Sequence, residues 1–206
     1  MKTAKRYFKN RELSEKEILL YQAVNGLLER GESLSELRVA DIAKEAGIGK
    51  GTVYEYVASK EELLANSFLY QVWREVEQLQ EQVSRCATFR ELCRGIFDLV
   101  HRKAVSGTNI MSIAGAGELS PSLVTMMESV KEDFNLAAQK LFSLLDQILE
   151  QGVREGEINP ASSPEYQHFV ITGVCTSLVS RQCSGAAKDW ETEQRLAYQM
   201  LVAAFQ

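Results

Sequence analysis

Val39-Ala40-Asp41-Ile42-Ala43-Lys44-Glu45-Ala46-Gly47-Ile48-Gly49-Lys50-Gly51-Thr52-Val53-Tyr54-Glu55-Tyr56 reads as two short helices around one tight turn. Ile42, Ala43 and Ala46 give the first helix an apolar face at helical spacing. Gly47 stops that helix, since glycine takes a positive φ without steric cost. Ile48 plugs the corner, and Gly49 leads into a second helix whose Val53 turns inward. A small Ala43, a glycine four residues later and a β-branched Val53 ten residues later let two helices cross closely at a steep angle. This spacing predicts a helix-turn-helix whose second helix enters the DNA major groove, spanning about 39–46 and 50–56. Lys50, Thr52, Tyr54 and Tyr56 supply donors and hydroxyls for base edges and phosphates, and Gly51 permits close backbone approach. The plainer alternative is a helical hairpin with no such role; the polar content of the second helix favours DNA.

The flanks carry a resemblance. Residues 38–64, with Asp-Ile-Ala, Ala-Gly, Gly-Thr-Val-Tyr and Ser59-Lys60-Glu61-Glu62-Leu63-Leu64, closely resemble the amino-terminal DNA-binding domain of TetR-type transcriptional regulators. The likeness covers about the first third of the chain. It implies an all-α fold, in which an N-terminal arm and helix-turn-helix domain (1–60) are joined by a shared helix to a helical ligand-binding and dimerisation domain (61–206). It also implies roles for matching positions: Lys50 and Thr52 near base edges, and Arg38, Tyr54, Tyr56 and Lys60 on the DNA backbone. Two positions depart from the family pattern. Arg38 stands where Ser or Thr is commoner, which keeps a phosphate-binding option. Val57 stands where Phe is usual, which removes a ring from the end of the second helix.

Composition sets the class. With 206 residues, 45% hydrophobic and 25% charged, the chain is long enough to bury a sizeable core. Three prolines in that length favour helices throughout. No apolar run is long enough to span a membrane, and the basic N-terminus lacks the apolar segment of a signal peptide, so a cytoplasmic protein is expected. Four cysteines show neither a C-x-x-C nor a zinc spacing and read as reduced thiols, with a redox switch as the minority alternative. No cofactor motif is present: Gly115-Ala116-Gly117 has Ser120 where a dinucleotide loop needs glycine, and no strand precedes it. The net charge of −5 lies in the body, because residues 1–62 carry eleven basic and eleven acidic residues. Lys2, Lys5, Arg6, Lys9 and Arg11 form a basic arm, read either as a phosphate contact or as a solvated tail.

In chain order, Ser14 and Glu17 form a capping box that opens a helix ending at Gly31. Ser59 and Glu62 form a second, opening a long helix to about Val83, with Lys60 in its first turn. That helix leaves the first domain for the second without a flexible linker. A helix follows over 88–105, and a shorter apolar piece over 109–114. Ser120-Pro121 starts a helix predicted to run unbroken to about Glu155, apolar on most faces. Ser163-Pro164 and Asp189 start the last two helices. Their apolar and small-residue surfaces predict a homodimer through those helices, or else simply the monomer's core.

No nucleophile, metal or phosphate-binding constellation points to an enzyme. The expected partners are a double-stranded DNA operator and a small, largely apolar effector. Phe97, His101, Met111, Met127 and Phe134 are the effector-contact candidates, though each reads more readily as plain core. No basic cluster is visible near them. An all-helical protein-interaction module without specific DNA binding is the rival reading.

Overall fold

The computed structural model describes residues 7–8, 11–106, 121–159, 163–187 and 189–206. Among them are nine helices: α1 (Glu15–Glu29), α2 (Val39–Glu45), α3 (Lys50–Val53), α4 (Lys60–Arg85), α5 (Phe89–Ser106), α6 (Pro121–Ser129), α7 (Lys131–Arg154), α8 (Pro164–Cys183) and α9 (Trp190–Ala203). The fold is all-α apart from a two-residue pair near the start, β1 (Tyr7–Phe8) and β2 (Arg11–Glu12). These run antiparallel with Tyr7 opposite Glu12. Part of the expected arm is thus ordered, as befits the strand preference of Tyr and Phe. Lys2, Lys5, Arg6 and Lys9 lie outside the described residues, as do 109–114.

The described residues fall in two compact units, Met1–Glu75 with Gly107–Ala137 and Val76–Ser106 with Ala138–Gln206. In the first, Leu20, Val24, Ile42, Val53, Leu63 and Leu69 are fully shielded and form one core across α1 to α4. The Ser14 capping box is present as expected. The Ser14 Oγ accepts from the Glu17 N–H at 3.3 Å, and the Glu17 carboxylate accepts from the Ser14 N–H at 2.9 Å. That pairing explains how a carboxylate is tolerated at 2% exposure. At α4 the second box is altered. Ser59 Oγ accepts from the Glu62 N–H at 3.0 Å, but the Glu62 carboxylate takes the Ala58 N–H, at 2.7 Å, instead of that of Ser59.

The expected single helix from 121 to 155 is broken at Val130. The Val130 N–H bonds Met127 O at 3.2 Å, a tight turn, and Val130 is 1% exposed in the first unit's core. A straight helix buries one stripe; an apolar run covering most faces needs its stripe re-aimed, and the turn does that.

In the second unit α5 packs on α8, and α9 packs on both. Phe89, Leu92, Ile96, Leu144, Ile148, Ile171 and Leu201 form its core. The Phe89 N–H donates to the Glu155 carboxylate at the end of α7, at 3.0 Å. A Cβ on Gly152 would stand 2.9 Å from the Phe89 ring and 3.0 Å from Ile158, so this glycine is required by close packing. Ser163 and Asp189 cap α8 and α9 through the Tyr166 and Thr192 N–H groups, as expected. On α8 Tyr166 and Phe169, three residues apart, are exposed, Phe169 at 77%, and on α9 Leu196 and Met200, four residues apart, are exposed.

Candidate nucleic-acid interface

The site is built from α2, one turn and α3. Gly47 takes φ +70°, its N–H bonds Lys44 O at 3.1 Å, and the Ile48 N–H bonds Ala43 O at 3.0 Å. These two bonds make a Schellman end to α2, and Ile48 packs against the first unit's core. Ile42 and Val53, both fully buried, pin the two helices to the core beneath.

The second helix is shorter than expected. Only Lys50–Val53 is α-helical; through 54–56 the N–H groups of Tyr54, Glu55 and Tyr56 bond three residues back, to Gly51, Thr52 and Val53. The chain tightens there and drops Val57, 4% exposed, into the core.

This geometry sorts the expected contacts. Lys50 and Gly51 are exposed, and nothing lies within 4 Å of where a Gly51 Cβ would be. Thr52 is half-buried and Tyr54 is 51% exposed. Tyr56 is half-buried, its ring packed against the core. The Arg38 guanidinium is engaged by Asp41 through bonds of 2.7 and 3.2 Å, which hold its pKa above the ordinary arginine value. Lys60 Nζ donates to the Ser35 carbonyl at 3.2 Å. Sequence reasoning missed both partners. The i, i+3 spacing of Arg38 and Asp41 was the available signal for the first; the second, 25 residues away, left none. Lys50, Gly51, Thr52 and Tyr54 thus share one short accessible segment, flanked by two cations already engaged.

The effector candidates do not gather in one unit. Met127 and Phe134 pack against the first unit's core, while Phe97 and His101 belong to the second; Met111 lies outside the described residues. Phe97 is 1% exposed. The His101 ring stacks on Trp190 with centroids 4.1 Å apart, and its buried Nδ1 has no hydrogen-bond partner among the described residues. Trp190 Nε1 donates to Asp98 at 2.7 Å. Beside Phe97, α5 and α9 enclose a cleft of about 840 Å³ lined by Arg90, Arg94, Arg195, Tyr198 and Val202. Arg90 lies over the Tyr198 ring at 4.4 Å, and the Tyr198 hydroxyl donates to Glu157 at 3.0 Å. Burial, and then Glu157, push the Tyr198 pKa up to about 12. The fold therefore brings three arginines to one cleft, whose rim also carries Glu157, Asp189 and Glu191; the sequence did not reveal it, because Arg195 comes from a helix about a hundred residues downstream.

All four cysteines are free thiols. Burial raises the pKa of Cys93 and takes that of Cys175 up to about 12, the opposite of a reactive thiolate. No helix among the described residues is long and apolar enough to cross a membrane, and none of their acidic, His or Cys side chains group as metal ligands.

Comparison with known proteins bears on the same elements. The family of bacterial regulatory proteins described as the tetR family matches residues 30–66, which run from the end of α1 into α4. A fatty acid metabolism regulator protein of Bacillus subtilis is 27% identical over 158 residues, covering 77% of this chain and 78% of that one. Among solved structures, the fatty acid degradation regulator FadR of Bacillus halodurans shares the fold with a TM-score of 0.65 at 17% identity, covering 93% of this chain and 97% of that one. FadR of Bacillus subtilis, solved in complex with stearoyl-CoA, has a TM-score of 0.64 at 20% identity, covering 92% and 99%. These relatives are transcriptional regulators and not enzymes. With the helix-turn-helix matched in both sequence and geometry, residues 30–66 match the tetR family of bacterial regulatory proteins, and the chain as a whole is similar to regulators of that kind.

Proposed function

We propose that two copies of this chain, paired through α8 and α9, repress transcription by binding a near-palindromic operator and leave it when a fatty acyl thioester binds. The observation that carries the DNA half is the exposed segment Lys50–Tyr54 held on a buried frame by Gly47 and Val53. Lys50 and Thr52 face base edges or adjacent phosphates; Arg38, Tyr54 and Lys60 hold the backbone, and Gly51 lets the main chain approach. Tyr56 contributes its hydroxyl while its ring stays in the core. Two such segments, about 34 Å apart, read successive major grooves. One copy alone contacts too few base pairs for useful specificity. A chromosomal operator implies a cytoplasmic protein.

The effector class is taken from the acyl-CoA bound by the Bacillus subtilis FadR structure and from the fatty acid regulator relative. Its acyl chain agrees with the largely apolar effector expected from Phe97 and its neighbours, whereas its phosphorylated head departs from that expectation. A ligand that releases most of the DNA must bind the released state better by several kcal/mol, which a long acyl chain supplies at about 0.8 kcal/mol per buried methylene.

The test is selection of bound fragments from a random duplex pool at near-physiological salt. The Thr52→Ala/Tyr54→Phe double variant is the control, and stearoyl-CoA is then titrated onto the selected complex. One inverted repeat, lost in the control and released by stearoyl-CoA, is expected. Absence of any enriched repeat would overturn the DNA reading; enrichment without release would overturn the effector alone.

A further inference from the structure

The cleft between α5 and α9 lies wholly in the second unit and is not accounted for by an apolar effector. Arg90 and Arg94 stand one helical turn apart on α5, and Arg195 faces the same space from α9. None of the three has a carboxylate within ion-pair distance among the described residues; Arg90 is held only by the Tyr198 ring. Of the acidic groups on the rim, Glu157 accepts from the Tyr198 hydroxyl, and Asp189 accepts from the Thr192 N–H that caps α9 while also lying in the field of Arg195, beyond ion-pair distance. Their charge is in part answered locally. Glu191, in the first turn of α9, is the remaining carboxylate.

Unpaired guanidiniums converging on one concave space call for an anion with several oxygens. A single carboxylate occupies one arginine fork; three forks on two helices match a phosphomonoester and a pyrophosphate held together. A volume of about 840 Å³ is in the range of cofactor-sized ligands. Phe97 and Val202 give the cleft an apolar side next to its charged one.

We propose that this cleft binds the phosphorylated head of an amphiphilic ligand, with Arg90, Arg94 and Arg195 gripping its phosphate oxygens. The assignment rests on the acyl-thioester reading for the identity of the whole ligand, but not for the chemistry of the cleft. Two sources share that chemistry, a coenzyme A thioester and a free nucleotide. Arg94 and Arg195 are the discriminating positions, because Arg90 also packs on Tyr198.

The experiment is calorimetric titration of the full-length protein with coenzyme A, ADP and stearoyl-CoA. The wild type is compared with Arg94→Gln/Arg195→Gln, with thermal unfolding as a check on folding and Arg94→Lys/Arg195→Lys as a charge-retaining control. Coenzyme A is expected to bind the wild type, and the Gln variant to bind it at least roughly tenfold more weakly at unchanged unfolding temperature. The Lys variant is expected to recover part of that loss. ADP binding as tightly as coenzyme A would assign the site to nucleotides; coenzyme A binding more tightly would assign it to the thioester. No binding of either probe to the wild type, or equal binding by wild type and Gln variant, overturns the proposal. The outcomes separate the two readings. Stearoyl-CoA releasing the operator equally from both proteins leaves the effector reading intact and removes the cleft. Coenzyme A bound through the arginines without operator release does the reverse.

Discussion

Thr52 and Tyr54 sit on the accessible side of a frame whose buried members, Ile42 and Val53, are unrelated to their chemistry. Their substitution is therefore expected to remove operator binding without unfolding the protein. Thr52→Ala with Tyr54→Phe should weaken binding to the selected repeat by at least roughly tenfold while the unfolding temperature stays within a degree or two, measured by fluorescence anisotropy and thermal scan. Arg38 behaves differently because Asp41 already holds it. Asp41→Asn frees the guanidinium and is expected to raise affinity for random duplex DNA by roughly two- to fivefold at low salt. Unchanged affinity would mean that Arg38 does not reach phosphate. The cysteines give a third residue-scale expectation. Cys183 is exposed whereas Cys93 is buried and Cys175 has a raised pKa. A thiol reagent should label Cys183 first, Cys175 more slowly, and Cys93 only as the protein unfolds; fast labelling of Cys93 would revive a redox role.

The helix-turn-helix was legible in the sequence because every term of its geometry is local. Ala43, Gly47 and Val53 fix a turn through steric limits that act within a dozen residues. The same holds for the Ser14 box and the caps at Ser163 and Asp189. Replacing Gly47 with Ala leaves open space around the new Cβ but forces it to φ +70°. It is expected to cost about 1 kcal/mol and lower the unfolding temperature by a few degrees. Gly152→Ala fails for the opposite reason, since its backbone is ordinary but the Phe89 ring already fills the space; a loss of about 1–3 kcal/mol by denaturant titration is expected. What stayed illegible was long-range. The break at Val130 follows from where the first unit's core lies, not from any breaker in the sequence. The shortening of α3 follows from burial of Val57. The arginine cleft depends on which faces of α5 and α9 meet, and no periodicity within either helix records that.

For the molecule as a whole, the proposed dimer and its salt dependence can be read together. Phe169→Glu with Met200→Glu places charges on the exposed apolar surface of α8 and α9. It is expected to give monomers by sedimentation and to abolish binding to the inverted repeat while helical content is kept. For the intact dimer, contacts to six or more phosphates predict a loss of roughly a thousandfold or more in affinity between 50 and 200 mM salt. Alkaline stability carries a separate mark. Folding favours the neutral Tyr198, whose pKa is raised from 10.0 to about 12. Its contribution is complete below about pH 10 and is lost as pH rises toward 12. The stability difference between wild type and Tyr198→Phe should shrink across that window and be flat below it.

Arg38 latched to Asp41 and Lys60 latched to the Ser35 carbonyl bear, finally, on how a chromosome is searched. Nearly all the DNA such a protein meets offers phosphates without matching base edges, and gives neither latch much reason to open. Visits to random sequence are then brief, and the molecule moves on. On the proposed contacts, Lys50 and Thr52 would prolong the visit at the chain's own repeat until the latches exchange for phosphate oxygens, and the same two cations would then delay departure. On that reading, the pairing of the two cations within the chain would separate the speed of scanning from the duration of occupancy.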